Sequence, residues 1–180
     1  RQSDIREDDG SLRKGCDAAL DAELPIALRE RTPDVVIAFV TIADAAPRTW
    51  QVAEGEIGPD DSRYQQRMRS DYATLRSALL QVPNLRVAWL TTPPPAAWYL
   101  GYYDKSLTAE SFQPLNATVA TMDDADPARV RVIDFEAWLV DRERQGDTGW
   151  RSDGLHLDAE SADQVVDELL WPELMQLVLS

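Results

Sequence analysis

Three short apolar runs punctuate an otherwise mixed chain. The longest is Val35-Val36-Ile37-Ala38-Phe39-Val40, preceded by the turn pair Pro33-Asp34. An uninterrupted, β-branched run bounded by turn residues predicts a strand buried on both faces, the pattern of a parallel sheet covered by helices. Val87-Ala88-Trp89-Leu90, stopped by Thr91-Thr92 and Pro93-Pro94-Pro95, is a second such run, and Val130-Arg131-Val132-Ile133, ending at Asp134, is a third.

Between the runs the periodicity changes to that of helices. Leu20, Leu24 and Leu28 form one stripe within 17–31, which Pro25 should kink or start late. Tyr64, Met68, Tyr72, Leu75 and Leu79 follow helical spacing with charged residues between them. Leu115, Val119 and Met122 repeat the spacing after Pro114, a residue tolerated in a first helical turn. A last helix is predicted from Asp158 or Ser161, either able to cap it, with Val165, Val166 and Leu169 inward and a break or kink at Trp171-Pro172. Residues 1–16 are polar and read as a loop or arm, and 17–180 as one domain. The alternation of helix and strand predicts a three-layer, flavodoxin-like α/β fold around a parallel sheet. The stretch from Thr92 to Ser111 is a long aromatic loop with Trp98, Tyr99, Tyr102 and Tyr103. Such loops, beyond the carboxyl ends of parallel strands, are where these folds hold ligands.

Composition narrows the partners. The 180 residues carry 18 Lys and Arg against 32 Asp and Glu, a net charge of −14. That field repels phosphate backbones and anionic lipid, so nucleic acid is not an expected partner. Cys16 is the single cysteine, which leaves no internal disulfide and no Cys-rich metal site. The spacing of Asp123, Asp124 and Asp126 fits no EF-hand loop and is read as a solvated turn. Trp50, Trp138, Trp150 and Trp171 are read as packing residues. No metal or organic cofactor is expected.

The chain holds a single histidine, His156, in Arg151-Ser152-Asp153-Gly154-Leu155-His156. An Asp three residues ahead of a His, across a glycine turn, can set its carboxylate against the Nδ1–H of the ring. That fixes the tautomer and steadies the imidazolium when Nε2 takes a proton. In so acidic a chain the pairing also arises by chance, and the competing reading is a capped turn with a surface histidine.

Asp153-Gly154-Leu155-His156 followed by an amphipathic helix resembles the last sequence block of the SGNH (GDSL-like) hydrolases. It is most similar to the SGNH domains fused to actinobacterial membrane-bound acyltransferases. The resemblance covers about residues 33–175. Pro33-Asp34-Val35-Val36-Ile37 resembles the strand of the third block, and Leu90-Thr91-Thr92-Pro93-Pro94 resembles an "LTxPP" strand end. Asn116 falls in the following helix, Val132-Ile133-Asp134-Phe135 resembles the next strand, and Arg151 to His156 resembles "RxDGxH".

The resemblance implies a serine acyl-ester hydrolase or O-acyltransferase acting on carbohydrate or cell-envelope esters. His156 would be its general base and Asp153 the orienting acid. It also implies an extracytoplasmic or membrane-associated place, beside an upstream membrane acyltransferase domain. Asp44, Trp98 and Tyr99 are the substrate-binding candidates. The family's nucleophile has no counterpart: Ser3-Asp4 is reversed and lies in the polar arm, and Thr41-Ile42-Ala43-Asp44 keeps only the Asp of the third block. Either the first one or two strands lie outside this sequence, leaving Val35–Val40 with a naked edge, or the serine has been lost. In the second case the chain is an inactive SGNH-like module that binds glycan or protein.

Overall fold

The computed structural model describes residues 5–6, 12–13, 19–99 and 107–179. Ser3, Asp4, Cys16, Tyr102 and Tyr103 lie outside the described residues. The N-terminal stretch expected to be a loop carries a small antiparallel ladder, β1 (Ile5–Arg6) with β2 (Leu12–Arg13). Helix α1 (Leu24–Arg31) follows a π-helical turn at Ala19–Glu23, with Pro25 in its first turn. The proline has no N–H to bond back into that turn, and the change from π-helical to α-helical winding falls beside it.

The remaining elements alternate. They are β3 (Val35–Phe39), α2 (Ile42–Ala45), α3 (Ser62–Leu79), β4 (Arg86–Leu90), α4 (Gln113–Val119), β5 (Val130–Ile133), α5 (Phe135–Asp141), α6 (Ala159–Val165) and α7 (Trp171–Leu179). Helix α3 starts where the Asp61 side chain accepts the Arg63 N–H at 2.9 Å, and it buries Tyr64, Met68, Tyr72 and Leu79. The three apolar runs form one parallel sheet in the order β3-β4-β5. Its register aligns Val36 with Val87 and Val130, and Phe39 with Leu90 and Ile133.

Strand alternation divides the core in two. Val87, Trp89 and Val130 face α3 and α4, meeting Tyr64, Met68, Leu115 and Val119. Ala88, Leu90 and Ile133 face the other way, onto Phe135, Trp138, Val165 and Leu177. The molecule is therefore a mixed α/β structure with helices on both faces of a small parallel sheet.

Three expectations are corrected. Strand β3 is not buried on both faces: it is an edge strand, and Ile37 and Phe39 are 43% and 52% exposed. Phe135 of α5 meets Phe39 at 6.3 Å between ring centroids but leaves it half exposed. Val166 points outward rather than inward, because it stands about 100° round the helix from Val165, off the face on which Ser161, Val165 and Leu169 are buried. Pro172, two positions into α7, has no N–H to offer the carbonyl of Glu168, and the widened turn precedes it. Trp171 is exposed rather than packed, whereas Trp138 and Trp150 are buried, under the guanidinium groups of Arg142 and Arg144 respectively.

Trp89 tests the account of the core. It is 1% exposed on the central strand and packs on Tyr72 at 5.2 Å between ring centroids. Its indole Nε1 has no hydrogen-bond partner. Trp89→Ala is expected to cost about 3–5 kcal/mol. Trp89→Phe should cost under about 2 kcal/mol, since it sacrifices volume but no hydrogen bond. Urea unfolding midpoints of the two variants check the difference.

Candidate functional site

The segment between α5 and α6 forms a tightly closed loop at the carboxyl end of the sheet. Its stem is pinned by the Arg151 N–H donating to the Asp147 carbonyl at 3.0 Å and the Asp158 N–H donating to the Trp150 carbonyl at 3.2 Å. Inside it, the Gly154 N–H donates to the Arg151 carbonyl at 2.7 Å, and the Ala96 N–H donates to the Gly154 carbonyl at 2.7 Å. The second of these bonds fastens the loop to the segment that leaves β4.

Arg151 makes the other fastening. It is 3% exposed, yet no carboxylate lies within ion-pair distance of it among the described residues. Its guanidinium donates instead to three carbonyls: Pro94 at 2.8 Å, Leu155 at 3.1 Å and Gln145 at 3.2 Å. Burial lowers the pKa of this group, an effect that nearby Asp153 opposes.

Asp153 and His156 meet as their spacing predicts. Asp153 Oδ1 accepts the backbone N–H groups of Leu155 at 2.9 Å and His156 at 2.7 Å. Its Oδ2 lies 2.6 Å from His156 Nδ1. The carboxyl is held well below the usual carboxylate range, first by the hydrogen bond with the imidazole and then by the two backbone donors. A charged acceptor on Nδ1 leaves Nε2 as the nitrogen able to take a proton. The His156 side chain is 74% exposed, so the ring is open to a reacting partner.

Gly154 has φ +78°, in the left-handed region, and a Cβ there would lie 2.7 Å from Trp98 Cζ2 and 3.0 Å from Ala96 Cβ. The glycine thus serves both the turn and the close approach of the indole. Trp98, largely exposed, lies against the loop that carries His156 and meets Tyr99 edge-on at 6.2 Å. Residues 97–99 are helical rather than loop. Gly154→Ala is expected to destabilise the protein by about 1–3 kcal/mol, through backbone strain and displacement of Trp98. A shift in indole fluorescence accompanying a lower melting temperature would register both.

The end of β4 is locked by a polar network. Thr92 exchanges two hydrogen bonds with the Asn116 amide, its N–H donating at 2.8 Å and its carbonyl accepting at 2.9 Å. The Thr92 hydroxyl donates to the Val40 carbonyl at 2.6 Å. Asn116 also donates to Glu136 Oε2 at 2.6 Å. Burial raises the pKa of Glu136, and the Asn116 bond opposes that shift. The sequence reading placed Asn116 and Arg151 in their blocks without their partners, and it missed Glu136 altogether. Nothing in the local pattern around Glu136 sets it apart from other acidic residues on helices.

Asp44 is placed differently from the dyad. Its Oδ2 accepts the Thr41 N–H at 2.8 Å, capping α2, and its Oδ1 binds Arg48 at 2.6 Å. Its carbonyl accepts the Tyr64 hydroxyl. The Asp44 carboxylate is thus engaged within its own segment, and it does not line the cavity beside His156.

That cavity, about 370 Å³, opens where β3 and β4 end. The β3 exit supplies Phe39 to Ile42, the β4 exit Thr92 and Pro93, α5 Phe135, and the loop Arg151 and Leu155 to Leu157. His156 is therefore part of the wall of a mostly apolar pocket at the carboxyl ends of parallel strands. Among the described residues no three His, Cys, Asp or Glu side chains are grouped to hold a metal ion, and no helix is long and apolar enough to cross a membrane. No protein-family model, curated protein or solved structure matches the chain.

Proposed function

We propose that this chain is the base-bearing part of an SGNH-type serine acyl-ester hydrolase or O-acyltransferase with a flavodoxin-like fold. The observation that carries the reading is the 2.6 Å contact between Asp153 and His156 in the wall of a pocket at the strand ends. The nucleophile comes from a further strand, carrying a Gly-Asp-Ser-like block, that adds to the free edge of β3. Among the described residues no strand pairs with that edge, and this, with the exposed Ile37 and Phe39 beside it, supports that placement.

The serine Oγ attacks the ester carbonyl while His156 Nε2 takes its proton, and Asp153 steadies the imidazolium. Collapse of the tetrahedral intermediate expels the alcohol, which leaves with the proton returned by His156. The acyl group then passes from the serine to water or to a carbohydrate hydroxyl. Trp98, exposed against the His156 loop, offers the acceptor sugar a stacking face. An upstream membrane acyltransferase domain and an extracytoplasmic location belong to the same proposal.

A second reading, an inactive module that binds glycan or protein, is favoured by Ala43 and by the engagement of Asp44 with Arg48. Ala43 has no side-chain donor for an oxyanion, and the Asp44 carboxylate, an acceptor, cannot supply one. A fluorophosphonate probe separates the two readings, because it labels only an activated serine. In a polypeptide that includes the serine-bearing strand, labelling that disappears in His156→Ala supports the hydrolase. Absence of labelling in the unmodified polypeptide supports the binding module.

A further inference from the structure

We infer that the cavity beside His156 is an acyl-chain pocket, selecting an uncharged aliphatic acyl group of butanoyl or hexanoyl size over acetyl and over acyl groups ending in a carboxylate. The inference deepens the proposed function and rests on it for the position of the ester carbonyl.

Three observations carry it. Apolar side chains form most of the wall: Phe39 and Ile42 from the β3 exit, Pro93 from β4, Phe135 from α5, and Leu155 and Leu157 from the loop. A volume of about 370 Å³ exceeds what an acetyl methyl needs, and it lies near the small end of ligand pockets. Among the described residues of the wall the one Arg or Lys is Arg151, and its guanidinium is directed to the carbonyls of Pro94, Gln145 and Leu155. An acyl group bearing a distal carboxylate would be desolvated with no free counter-ion, in a chain of net charge −14. An aliphatic chain loses nothing on entry and releases water from apolar surface.

The remaining polar groups agree. The Thr92 hydroxyl donates to the Val40 carbonyl and the Thr41 hydroxyl to Asp44 Oδ2 at 3.4 Å, which leaves His156, among the described side chains of the wall, as the polar group free to meet an ester. An acyl group bound there has its chain among the leucines and phenylalanines, with its carbonyl beside the imidazole.

Binding to the 180-residue chain tests this without any catalysis. Acetamide, butanamide and hexanamide stand in for acyl groups, and succinamate for an anionic one. Each is titrated while the backbone amides of Leu155 and Leu157 and the ring of His156 are followed by NMR. The expected result is affinity rising about fourfold per added methylene, the increment from burying a CH₂, with succinamate weaker than butanamide.

Phe39 is half exposed, so Phe39→Asp should fold as the parent does while placing a charge at the pocket wall. Its hexanamide affinity should fall at least tenfold. A flat chain-length series, succinamate binding as tightly as butanamide, or an unchanged Phe39→Asp titration would each overturn the inference. A failed titration leaves fluorophosphonate labelling of the longer polypeptide unaffected. Loss of that labelling with a normal titration would instead remove the hydrolase reading and keep the pocket.

Discussion

Replacing His156 by alanine is expected to lower kcat/KM for p-nitrophenyl acetate about 10³-fold or more, in a polypeptide that supplies the serine strand. The magnitude follows from the work assigned to one ring. His156 is the sole histidine, so no other imidazole in this chain can take over the proton. Asp153→Asn should cost about as much, although it preserves shape. The carboxylate presents only acceptors to the ring and to the N–H groups of Leu155 and His156. An amide can turn its NH₂ toward Nδ1 and so favour the tautomer that cannot accept at Nε2.

The pH dependence has a definite sign. The Asp153 carboxyl lies below the ordinary carboxylate range in the folded protein. Its stabilisation of the loop is therefore complete above the pKa of an unfolded aspartate, and it is lost only as the pH falls through the lower folded value. Asp153 therefore stays ionised below the pH at which an unfolded aspartate takes its proton. A residual rate in His156→Ala within tenfold of the parent would remove the histidine from the mechanism.

The second large effect concerns stability. Arg151→Met is expected to destabilise the protein by about 3 kcal/mol. Two contributions oppose each other. Removing the cation relieves the cost of holding a charge at 3% exposure. Against this, the carbonyls of Pro94, Gln145 and Leu155 lose their donor together, and a buried orphaned acceptor costs about 1–3 kcal/mol. Pro94 is itself buried, so water cannot readily replace the guanidinium there, and the orphaned carbonyls win. Arg151→Lys keeps the charge but not the fork, and should recover only part of the loss. Hydrogen exchange should accelerate at Gly154, Leu155 and His156 in both variants. A change below about 0.5 kcal/mol in Arg151→Met, the range of ordinary surface substitutions, would mean that the loop is held by other bonds.

The legible parts of the fold were those written in local pattern. Val87–Leu90 and Val130–Ile133 are apolar runs closed by turn residues, and they became β4 and β5. The stripe from Tyr64 to Leu79 became α3. Asp153 and His156 were legible for the same reason, since both partners of the hydrogen bond lie within one turn. The edge position of β3 was expected if strands lie outside this sequence, but the exposure of Ile37 and Phe39 was not legible, because a strand's composition does not say how far helices cover it. Val166 was misplaced because two adjacent valines cannot both lie on a narrow buried face, and the helix turns Val165 inward and Val166 out. The Arg151 contacts with Pro94 and Gln145, and the bond from Asn116 to Glu136, join residues distant in sequence or hidden in irregular chain. Only the assembled sheet brings them together.

The central claim is an imidazole oriented by Asp153 so that Nε2 acts as base, and the ring nitrogens report it directly. With one histidine in the chain, a ¹⁵N–¹H spectrum of the imidazole has a single set of signals. At a pH where the ring is neutral, the proton is predicted on Nδ1, with Nε2 bare, and Asp153→Asn should move it to Nε2. A ring protonated on Nε2, or a spectrum unchanged by Asp153→Asn, would contradict the account.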